Sequence, residues 1–346
     1  MSLKMIVQNP GLLSTIQDVG RLGYRQYGLP SAGAMDAKAL KMANLLVGNN
    51  SSVAGLELTL LGPQLEFQGQ GLIALAGGDL GAELNGWPMP AFGSFMVYDG
   101  DVLHFSGRRS GCRTYLTVAG GFDLDPVLGS YSTYIKANIG GYKGRALKKG
   151  DILFSKKEIA RPNYIGALPP GQGQRIFGSL AEVRVMLGPQ DDYFDLENID
   201  LFFQTIWHVE NDADRMGYRL DGGTLKHLLK KEIISDGIIS GAIQVPGHGK
   251  PIVLLADAQT SGGYAKIATV IQADLGIFGQ LMPGDKLRFT LCSEEGAREA
   301  LRQDALQLES LRNWIANHKS TPLRRFTVDM ADVNYKVSLQ ELKNDI

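Results

Sequence analysis

The sequence predicts a mainly β protein with few helices, on three observations. The 346 residues include 43 glycines without a low-complexity tract, which indicates many tight turns. Short apolar or alternating runs dominate the chain, and each is bounded by Gly, Pro, Asn or Asp, as strands between turns are. A Gly-Asp pair followed by a strand-like run occurs three times. Together these patterns favour short strands joined by turns.

The runs predicted as strands are continuously apolar or alternate between apolar and polar residues. They include residues 71–76, 95–98, 115–118, 183–187 and 252–255. The three Gly-Asp turns begin at Gly100, Gly150 and Gly284. Glycine tolerates a positive φ at such a turn, and the residues that follow alternate as a strand does. We interpret this repeat as barrel architecture rather than as chemistry.

The sequence predicts two helices and divides the chain into two lobes, a linker and a tail. Asp36 is placed to cap a helix over 37–47, and Ser293 is placed to cap a longer helix that ends near residue 317. Proline and glycine are dense over 161–174, which predicts a linker. The predicted organisation is an N-terminal β lobe (1–160), this linker, a C-terminal lobe with its helix (175–317) and a hairpin tail (318–346).

Composition excludes several classes of protein. The net charge is -1, whereas a nucleic-acid binder would show a basic excess. No apolar run approaches the roughly 18 to 20 residues that a membrane span requires, and the N-terminus lacks the apolar core of a signal peptide. Cys112 and Cys292 share no ligand spacing, so we expect buried free thiols and a cytoplasmic protein.

Single-motif enzyme classes fit the sequence poorly. It contains no phosphate-binding Gly-x-x-x-x-Gly-Lys-Ser/Thr run, no dinucleotide Gly-x-Gly-x-x-Gly after a strand and no Gly-x-Ser-x-Gly nucleophile elbow. His-Glu-x-x-His and paired Cys-x-x-Cys are also missing, so no metal site is predicted.

One pentapeptide pattern occurs twice, as Arg-Leu-Gly-Tyr-Arg at 21–25 and as Arg-Met-Gly-Tyr-Arg at 215–219. We interpret the repeat as two related lobes, each with a cationic surface opened by a glycine. A plainer alternative is that Asp18 pairs with Arg21, and Asp212 with Arg215, as local ion pairs that close turns. Such surface pairs would contribute only about 0 to 1 kcal/mol.

A third polar segment, residues 255–266, joins two apolar runs through more polar side chains than a turn requires. Its Tyr264 and Lys266 can donate to an anion or to a polarised carbonyl, and Asp257 can orient them. Gln244 adds an amide at the end of a preceding strand.

Five separated segments resemble, in order, the biotin-dependent carboxyltransferase family, whose members include allophanate-hydrolase-subunit-2-like proteins. These segments are residues 9–21, 33–36, 211–219, 243–246 and 251–266. The resemblance covers residues 5–310. It implies two β-barrel lobes, of which the C-terminal one is cyclophilin-like, with a few peripheral helices.

The same resemblance implies the site residues, which are expected to meet in one cleft. Catalytic roles are carried over to three of them: Tyr264 would donate to a developing oxyanion, Asp257 would orient it or act as a base, and Lys266 would hold negative charge. The implied substrate- or anion-binding residues are Asp18, Arg21, Asn211, Arg215, Arg219, Gln244, Gln259 and Thr260.

The function implied by the resemblance is that of one component of an ATP-dependent 5-oxoprolinase, which opens the lactam of 5-oxoproline to glutamate. The chain would be inactive alone and would act with a smaller related protein, of the 5-oxoprolinase B or kinase-inhibitor type, and with a larger lactam-hydrolase component. ATP is the expected cofactor, and the resemblance leaves open whether this chain or another part of the complex binds it. Covalent biotin is not expected, because no Met-Lys-Met site follows the tail.

Two alternatives stay open. The chain could use carboxybiotin in trans to carboxylate urea or a similar amide, or it could be a non-catalytic antagonist that binds a kinase-inhibitor partner. It departs from the family pattern at Ala258 and Ala265, where members often carry Arg and Pro. Loss of an arginine from a polar pocket would change which anion is accepted.

Overall fold

The computed structural model describes residues 2–156, 162–172, 174, 178–228, 232–320, 323–330 and 333–341. The chain forms two compact units: Met1–Val19, Ala37–Arg175 and Leu306–Ile346 make unit 1, and Gly20–Asp36 with Ile176–Ala305 makes unit 2. This division differs from the contiguous lobes expected from sequence, because each unit draws on separate stretches of the chain. Residues 161 and 173 of the predicted linker lie outside the described residues.

Unit 1 contains two antiparallel sheets and a separate hairpin. Its strands are β1 (Lys4–Asn9), β2 (Leu13–Gln17), β3 (Gly55–Thr59), β4 (Gln64–Gln68), β5 (Gly71–Asp79), β6 (Ala82–Leu84), β7 (Trp87–Pro88), β8 (Gly93–Val97), β9 (Val102–Phe105), β10 (Ser110–Val118) and β11 (Ile152–Phe154). One sheet has the order β11-β1-β4-β9-β6-β7, and the other has the order β2-β3-β10-β5-β8. Buried residues of both sheets, such as Met5, Leu58 and Leu116, belong to one hydrophobic core. The two sheets therefore pack face to face.

Unit 2 is built around a closed barrel. Its strands are β12 (Ala181–Leu187), β13 (Trp207–Ala213), β14 (Gly217–Asp221), β15 (Glu232–Gly237), β16 (Ala242–Val245), β17 (Ile252–Leu254), β18 (Ser261–Val270) and β19 (Lys286–Leu291). The sheet order is β12-β19-β13-β14-β17-β16-β18-β15, and β12 also pairs with β18. That additional pairing closes the ring and leaves β15 as an edge strand attached to β18. Trp207, Phe202 and Phe289 fill the core.

The helices are few, as the sequence predicts. They are α1 (Ala37–Leu46), α2 (Leu196–Gln204), α3 (Leu275–Phe278) and α4 (Glu294–Asn317). Both predicted helices form, and the Ser293 hydroxyl accepts a hydrogen bond from the Gly296 N–H at 3.1 Å, as an N-cap does. Helix α2 was not predicted, although Asp195 caps it by accepting from the Asn198 N–H at 2.8 Å. The mainly β fold is confirmed.

The three Gly-Asp pairs form turns of the same geometry, and each turn is followed by a strand: β9, β11 or β19. In each turn the aspartate side chain accepts a hydrogen bond of 2.7 to 2.9 Å from the N–H three residues earlier. Each glycine donates its N–H to a neighbouring strand at 2.8 to 2.9 Å. The φ angles are +80° at Gly100, +87° at Gly150 and +89° at Gly284. Only glycine adopts this region without strain, which explains why the pair recurs.

The predicted tail hairpin also forms, as β20 (Arg324–Met330) and β21 (Val333–Leu339). Its polar face contacts Trp87, with Arg325 and Lys336 each 5.4 Å from the ring centre. Lys336 also donates to the Gly86 carbonyl at 3.0 Å. The opposite face carries apolar side chains that are 40% to 62% exposed: Phe326, Val328, Met330, Tyr335 and Leu339.

Two further expectations concern membrane spans and the cysteines. Within the described part of the chain, no helix is long and apolar enough to span a membrane. Cys112 is buried and Cys292 is partly buried, and neither takes part in a disulfide.

Candidate functional site

Three of the segments that carry the family resemblance meet at Arg215 in unit 2. Its guanidinium donates to the Asp257 carboxylate twice, from Nε to Oδ2 at 2.9 Å and from Nη2 to Oδ1 at 3.0 Å. Nη2 also donates to the Gly33 carbonyl at 2.7 Å. The segment 20–36 is held further by a hydrogen bond of 3.1 Å from the Ala32 N–H to the Ala256 carbonyl. Arg215 thereby ties the segment before α1 to the segment between β17 and β18.

The plainer alternative of a local ion pair between Asp212 and Arg215 does not hold, because Arg215 pairs with Asp257. Asp212 lies 3.6 Å from Arg219, and both side chains are largely exposed. The turn is closed instead by Asp214, whose carboxylate accepts from the Met216 N–H at 2.7 Å. Arg215 can point inward because its acidic neighbour caps the backbone rather than the guanidinium.

The repeated pentapeptide does not mark two similar lobes, because both copies lie in unit 2 and differ in backbone. Gly23 in the first copy has a φ of +88° outside any strand, whereas Gly217 begins β14. The first arginine of each copy is buried, at 0% exposure for Arg21 and 6% for Arg215. Arg25 donates to the Ile238 carbonyl. The shared feature is therefore one inward-facing arginine in each copy.

A second polar cluster lies on the neighbouring strands β16 and β18. Gln244 and Lys266 are direct partners in the antiparallel register, and they are 2% and 3% exposed. The Lys266 ammonium lies 2.6 Å from Asp236 Oδ2 in β15 and 3.4 Å from the Gly237 carbonyl. The Lys266 N–H donates to the side chain of Gln190 at 3.2 Å. We call Gln190, Asp236, Gln244 and Lys266 the Lys266 cluster.

The electrostatics of the Lys266 cluster follow from its geometry. The hydrogen bond from Lys266 holds the pKa of the Asp236 carboxyl below its usual range, and the Gly237 N–H adds to this effect. The lysine side chain is 4% exposed, whereas that of Asp236 is 55% exposed. The charge of the buried Lys266 ammonium is thus neutralised by the half-exposed Asp236 carboxylate.

The remaining predicted site residues of unit 2 are more exposed. The Tyr264 side chain is 40% exposed, and Asn211 and Gln259 are exposed as well. Thr260 contributes its carbonyl, which accepts from the Ile238 N–H at 2.9 Å. Arg219 lines an open pocket of about 250 Å³, together with Glu210, His248, Lys250, Pro251 and Ile252. This pocket has different lining residues from the Lys266 cluster, so the predicted residues form more than one group.

Asp18, which was predicted to bind an anion, serves as a hydrogen-bond acceptor inside unit 1. Its carboxylate accepts from the hydroxyls of Ser130 and Ser132 at 2.8 and 2.5 Å, and from the Tyr131 N–H at 2.7 Å. The Thr133 N–H donates to the Ile16 carbonyl at 2.9 Å. The polar segment after β2 therefore anchors the loop that follows β10.

Sequence reasoning missed this loop, residues 128–147, which we call the anchored loop. Three of its non-glycine residues have positive φ angles near 55°: Leu128, Asn138 and Lys143. Such backbone is strained and persists only where surrounding contacts enforce it. The density of glycines at 129, 140, 141 and 144 was a usable signal. Asp236 and Gln190 were missed too, because nothing in their local sequence distinguishes them from surface residues.

No group of three or more His, Cys, Asp or Glu side chains arranged to hold a metal ion occurs in the described ranges. The cations and amides of unit 2 suit anions and carbonyl groups rather than metals.

Comparison with known proteins identifies the family. The model of the carboxyltransferase domain, subdomain A and B, matches residues 27–291. The chain belongs to this carboxyltransferase-domain family.

The chain is similar to 5-oxoprolinase C subunits and to part of the urea amidolyases. The C subunit of 5-oxoprolinase from Escherichia coli (strain K12) is 40% identical over 300 residues, covering 85% of this chain and 93% of that protein. The same protein of Haemophilus influenzae is 36% identical over 302 residues, covering 87% of this chain and 96% of its own length. Urea amidolyase of Saccharomyces cerevisiae is 34% identical over 319 residues, but these make up only 17% of that protein. The crystal structure of K. lactis urea amidolyase matches 98% of this chain with a TM-score of 0.84 and 30% identity, over 22% of its own chain.

Proposed function

We propose that this chain is the C subunit of an ATP-dependent 5-oxoprolinase and acts in the cytoplasm with partner proteins. The observation that carries the proposal is coverage: two 5-oxoprolinase C subunits match this chain over 93% and 96% of their lengths. The urea amidolyase match spans 17% of that protein, so most of its length has no counterpart here. The expected partners are the smaller related protein of the 5-oxoprolinase B type and the larger lactam-hydrolase component.

The chemistry of the Lys266 cluster supports a role in substrate recognition. A lactam with a carboxylate group offers a negative charge to the Lys266 ammonium and a carbonyl oxygen to an amide or phenol donor. Gln244 and the half-exposed Tyr264 are donors of these kinds. Arg215 and Asp257 already bind each other, so we assign them to positioning the segment before Lys266 rather than to the lactam. ATP would be bound by the assembled complex and would make lactam opening favourable.

The test is ATP hydrolysis by the chain purified together with its partner proteins. We expect 5-oxoproline to stimulate hydrolysis and glutamate to form in step with ADP. The Lys266→Met variant should lose this stimulation, whereas Lys286→Met, which removes an exposed lysine of β19, should keep it. An ATPase rate that 5-oxoproline does not change would refute the proposal.

A second candidate is a carboxyltransferase that takes carboxybiotin in trans and acts on urea or a similar amide. The observation in its favour is the 98% coverage of this chain by the K. lactis urea amidolyase structure. It predicts product formation that avidin abolishes, and activity that persists with avidin would remove it.

A further inference from the structure

The amide of Gln244 is the starting point, because its nitrogen has no hydrogen-bond partner among the residues that the structure describes. Gln244 is 2% exposed, and no described residue accepts a hydrogen bond from Nε2. A buried donor left unsatisfied costs about 1–3 kcal/mol, and such groups are rare in native proteins. We therefore infer that a bound ligand supplies the acceptor for Gln244 Nε2.

A glycine of strand β18, Gly262, leaves space for this amide. A Cβ added at Gly262 would lie 2.8 Å from Gln244 Nε2 and 2.6 Å from the Ile238 side chain. A larger residue at 262 would therefore displace the amide. Gly262, which lies four residues before Lys266 on β18, keeps the Gln244 donor in place.

The Lys266 ammonium supplies charge at the same place in the sheet. Its partner, Asp236, lies on the edge strand β15, most of whose residues are exposed. The carboxylate of Asp236 binds Lys266 through Oδ2, while Oδ1 accepts from the Gly237 N–H at 2.7 Å. Because Asp236 is 55% exposed, it can be rehydrated at low cost, whereas Lys266 at 4% exposure cannot lose its anion without a replacement.

We propose that Gln244 and Lys266 form a binding site for a small carboxylate that also carries an amide or lactam carbonyl, and that Asp236 holds the carboxylate position until the ligand displaces it. The ligand carboxylate takes over the bond to the Lys266 ammonium, and its carbonyl accepts from Gln244 Nε2. This inference rests on the proposed function for its choice of probe, 5-oxoproline. It adds that the Asp236 carboxylate competes with the ligand for Lys266, which the proposed function does not require.

Displacement has a measurable consequence. When a binding-competent state is only partly populated, the apparent affinity falls by that fraction. Among the described residues, Asp236 is the only acid hydrogen-bonded to Lys266. If Asp236 competes with the ligand for Lys266, removing its charge should tighten ligand binding. A purely structural role predicts the opposite, because Lys266 would then lose the group that orients it.

The experiment measures the KM for 5-oxoproline in the assembled complex and the Kd for 5-oxoproline by calorimetry. For Asp236→Asn we expect both to fall by about three- to tenfold. For Lys266→Met we expect both to rise by at least about tenfold, the size of one lost charge-assisted hydrogen bond. Lys286→Met is the matched control and should leave both values unchanged, and melting temperatures verify that each variant folds.

A ligand pair tests the role of Gln244. Tetrahydrofuran-2-carboxylate has the five-membered ring and carboxylate of 5-oxoproline but lacks its carbonyl. Gln244→Leu should weaken 5-oxoproline binding by about tenfold, in line with one lost hydrogen bond, and leave the binding of the ether unchanged. Equal effects on both ligands would show that the amide does not meet the carbonyl.

The outcomes separate the inference from the proposed function. If 5-oxoproline stimulates ATP hydrolysis but Asp236→Asn raises the KM, or Lys266→Met leaves it unchanged, the inference is overturned and the function stands. If 5-oxoproline does not stimulate hydrolysis, the function fails, and calorimetry with the two carboxylates still decides the site. Absence of any binding that depends on Lys266 would then overturn the inference as well.

Discussion

Arg215 and Asp257, 42 positions apart in the chain, are joined by two hydrogen bonds of 2.9 and 3.0 Å and are both less than one-tenth exposed. The fork of a guanidinium matches the two oxygens of a carboxylate, which makes this pairing geometrically specific. Because the same guanidinium binds the Gly33 carbonyl, one side chain fixes three segments of unit 2.

Replacing Arg215 should destabilise the protein strongly. Arg215→Met leaves a buried carboxylate without its partner, and we expect a loss of about 3–5 kcal/mol in the free energy of unfolding. Arg219→Met is the matched control from the same pentapeptide, since its pair with Asp212 is exposed and contributes about 0–1 kcal/mol. Urea denaturation measures both. Similar losses for the two variants would contradict a special role for the buried pair.

Replacing Asp18 should loosen the anchored loop. Asp18→Ala removes the acceptor for three hydrogen bonds and leaves the hydroxyls of Ser130 and Ser132 buried without it, so we expect a loss of at least about 3 kcal/mol. Hydrogen exchange should quicken across residues 128–147. Asp123→Ala, at an exposed position, should change neither quantity. Unchanged exchange in Asp18→Ala would show that the loop holds its shape without this anchor.

The pair of Arg145 and Asp151 predicts a pH dependence of stability. Two hydrogen bonds of 2.6 and 2.8 Å join them, and this bonding lowers the pKa of the Asp151 carboxyl. A carboxyl whose pKa is lower in the folded than in the unfolded state stabilises the protein above the unfolded value, about 3.9. The contribution is lost as the pH falls through the folded pKa. Asp151→Asn should therefore be less stable than the wild type at pH 7, with a gap that narrows towards pH 3 in thermal melts.

The C-terminal hairpin should depend on Trp87. Trp87→Ala removes both cation–π contacts, each contributing about 0.5–1 kcal/mol at an exposed site, and a two-stranded hairpin is marginal by itself. Limited proteolysis should then cut within residues 323–341 faster than in the wild type. Trp87→Phe keeps an aromatic ring and should show an intermediate rate. Equal cleavage rates in all three proteins would mean that other contacts hold the hairpin.

Local signals predicted much of the fold. The Gly-Asp turns, the helix capped by Ser293 and the tail hairpin each depend on residues that are neighbours in sequence, so their patterns are visible in the sequence. Helix α2 was not predicted, because a helix of nine residues is too short to show a clear periodic pattern. The sequence also did not predict that each unit combines separate stretches of the chain, because no local pattern indicates which unit residues 20–36 join.

The candidate site could be predicted only in part. The resemblance pointed to Gln244, Asp257 and Lys266, and all three are buried polar residues in unit 2. Their partners were not predictable, because Asp236 lies 30 positions from Lys266 in a mostly exposed strand whose local sequence resembles that of a surface. Pairing between distant residues is set by strand register, and the local pattern of one strand does not show which residue of another strand it will face.

The interleaved chain path has a consequence for biosynthesis. Residues 20–36 leave the ribosome long before Arg215 and Ala256, which hold them, and unit 1 waits for residues 306–346 until all of unit 2 has been made. At about 5–20 residues per second, that wait is on the order of ten seconds. Unit 1 can therefore pair the strands of its two sheets, which lie within residues 4–154, long before it gains residues 306–346.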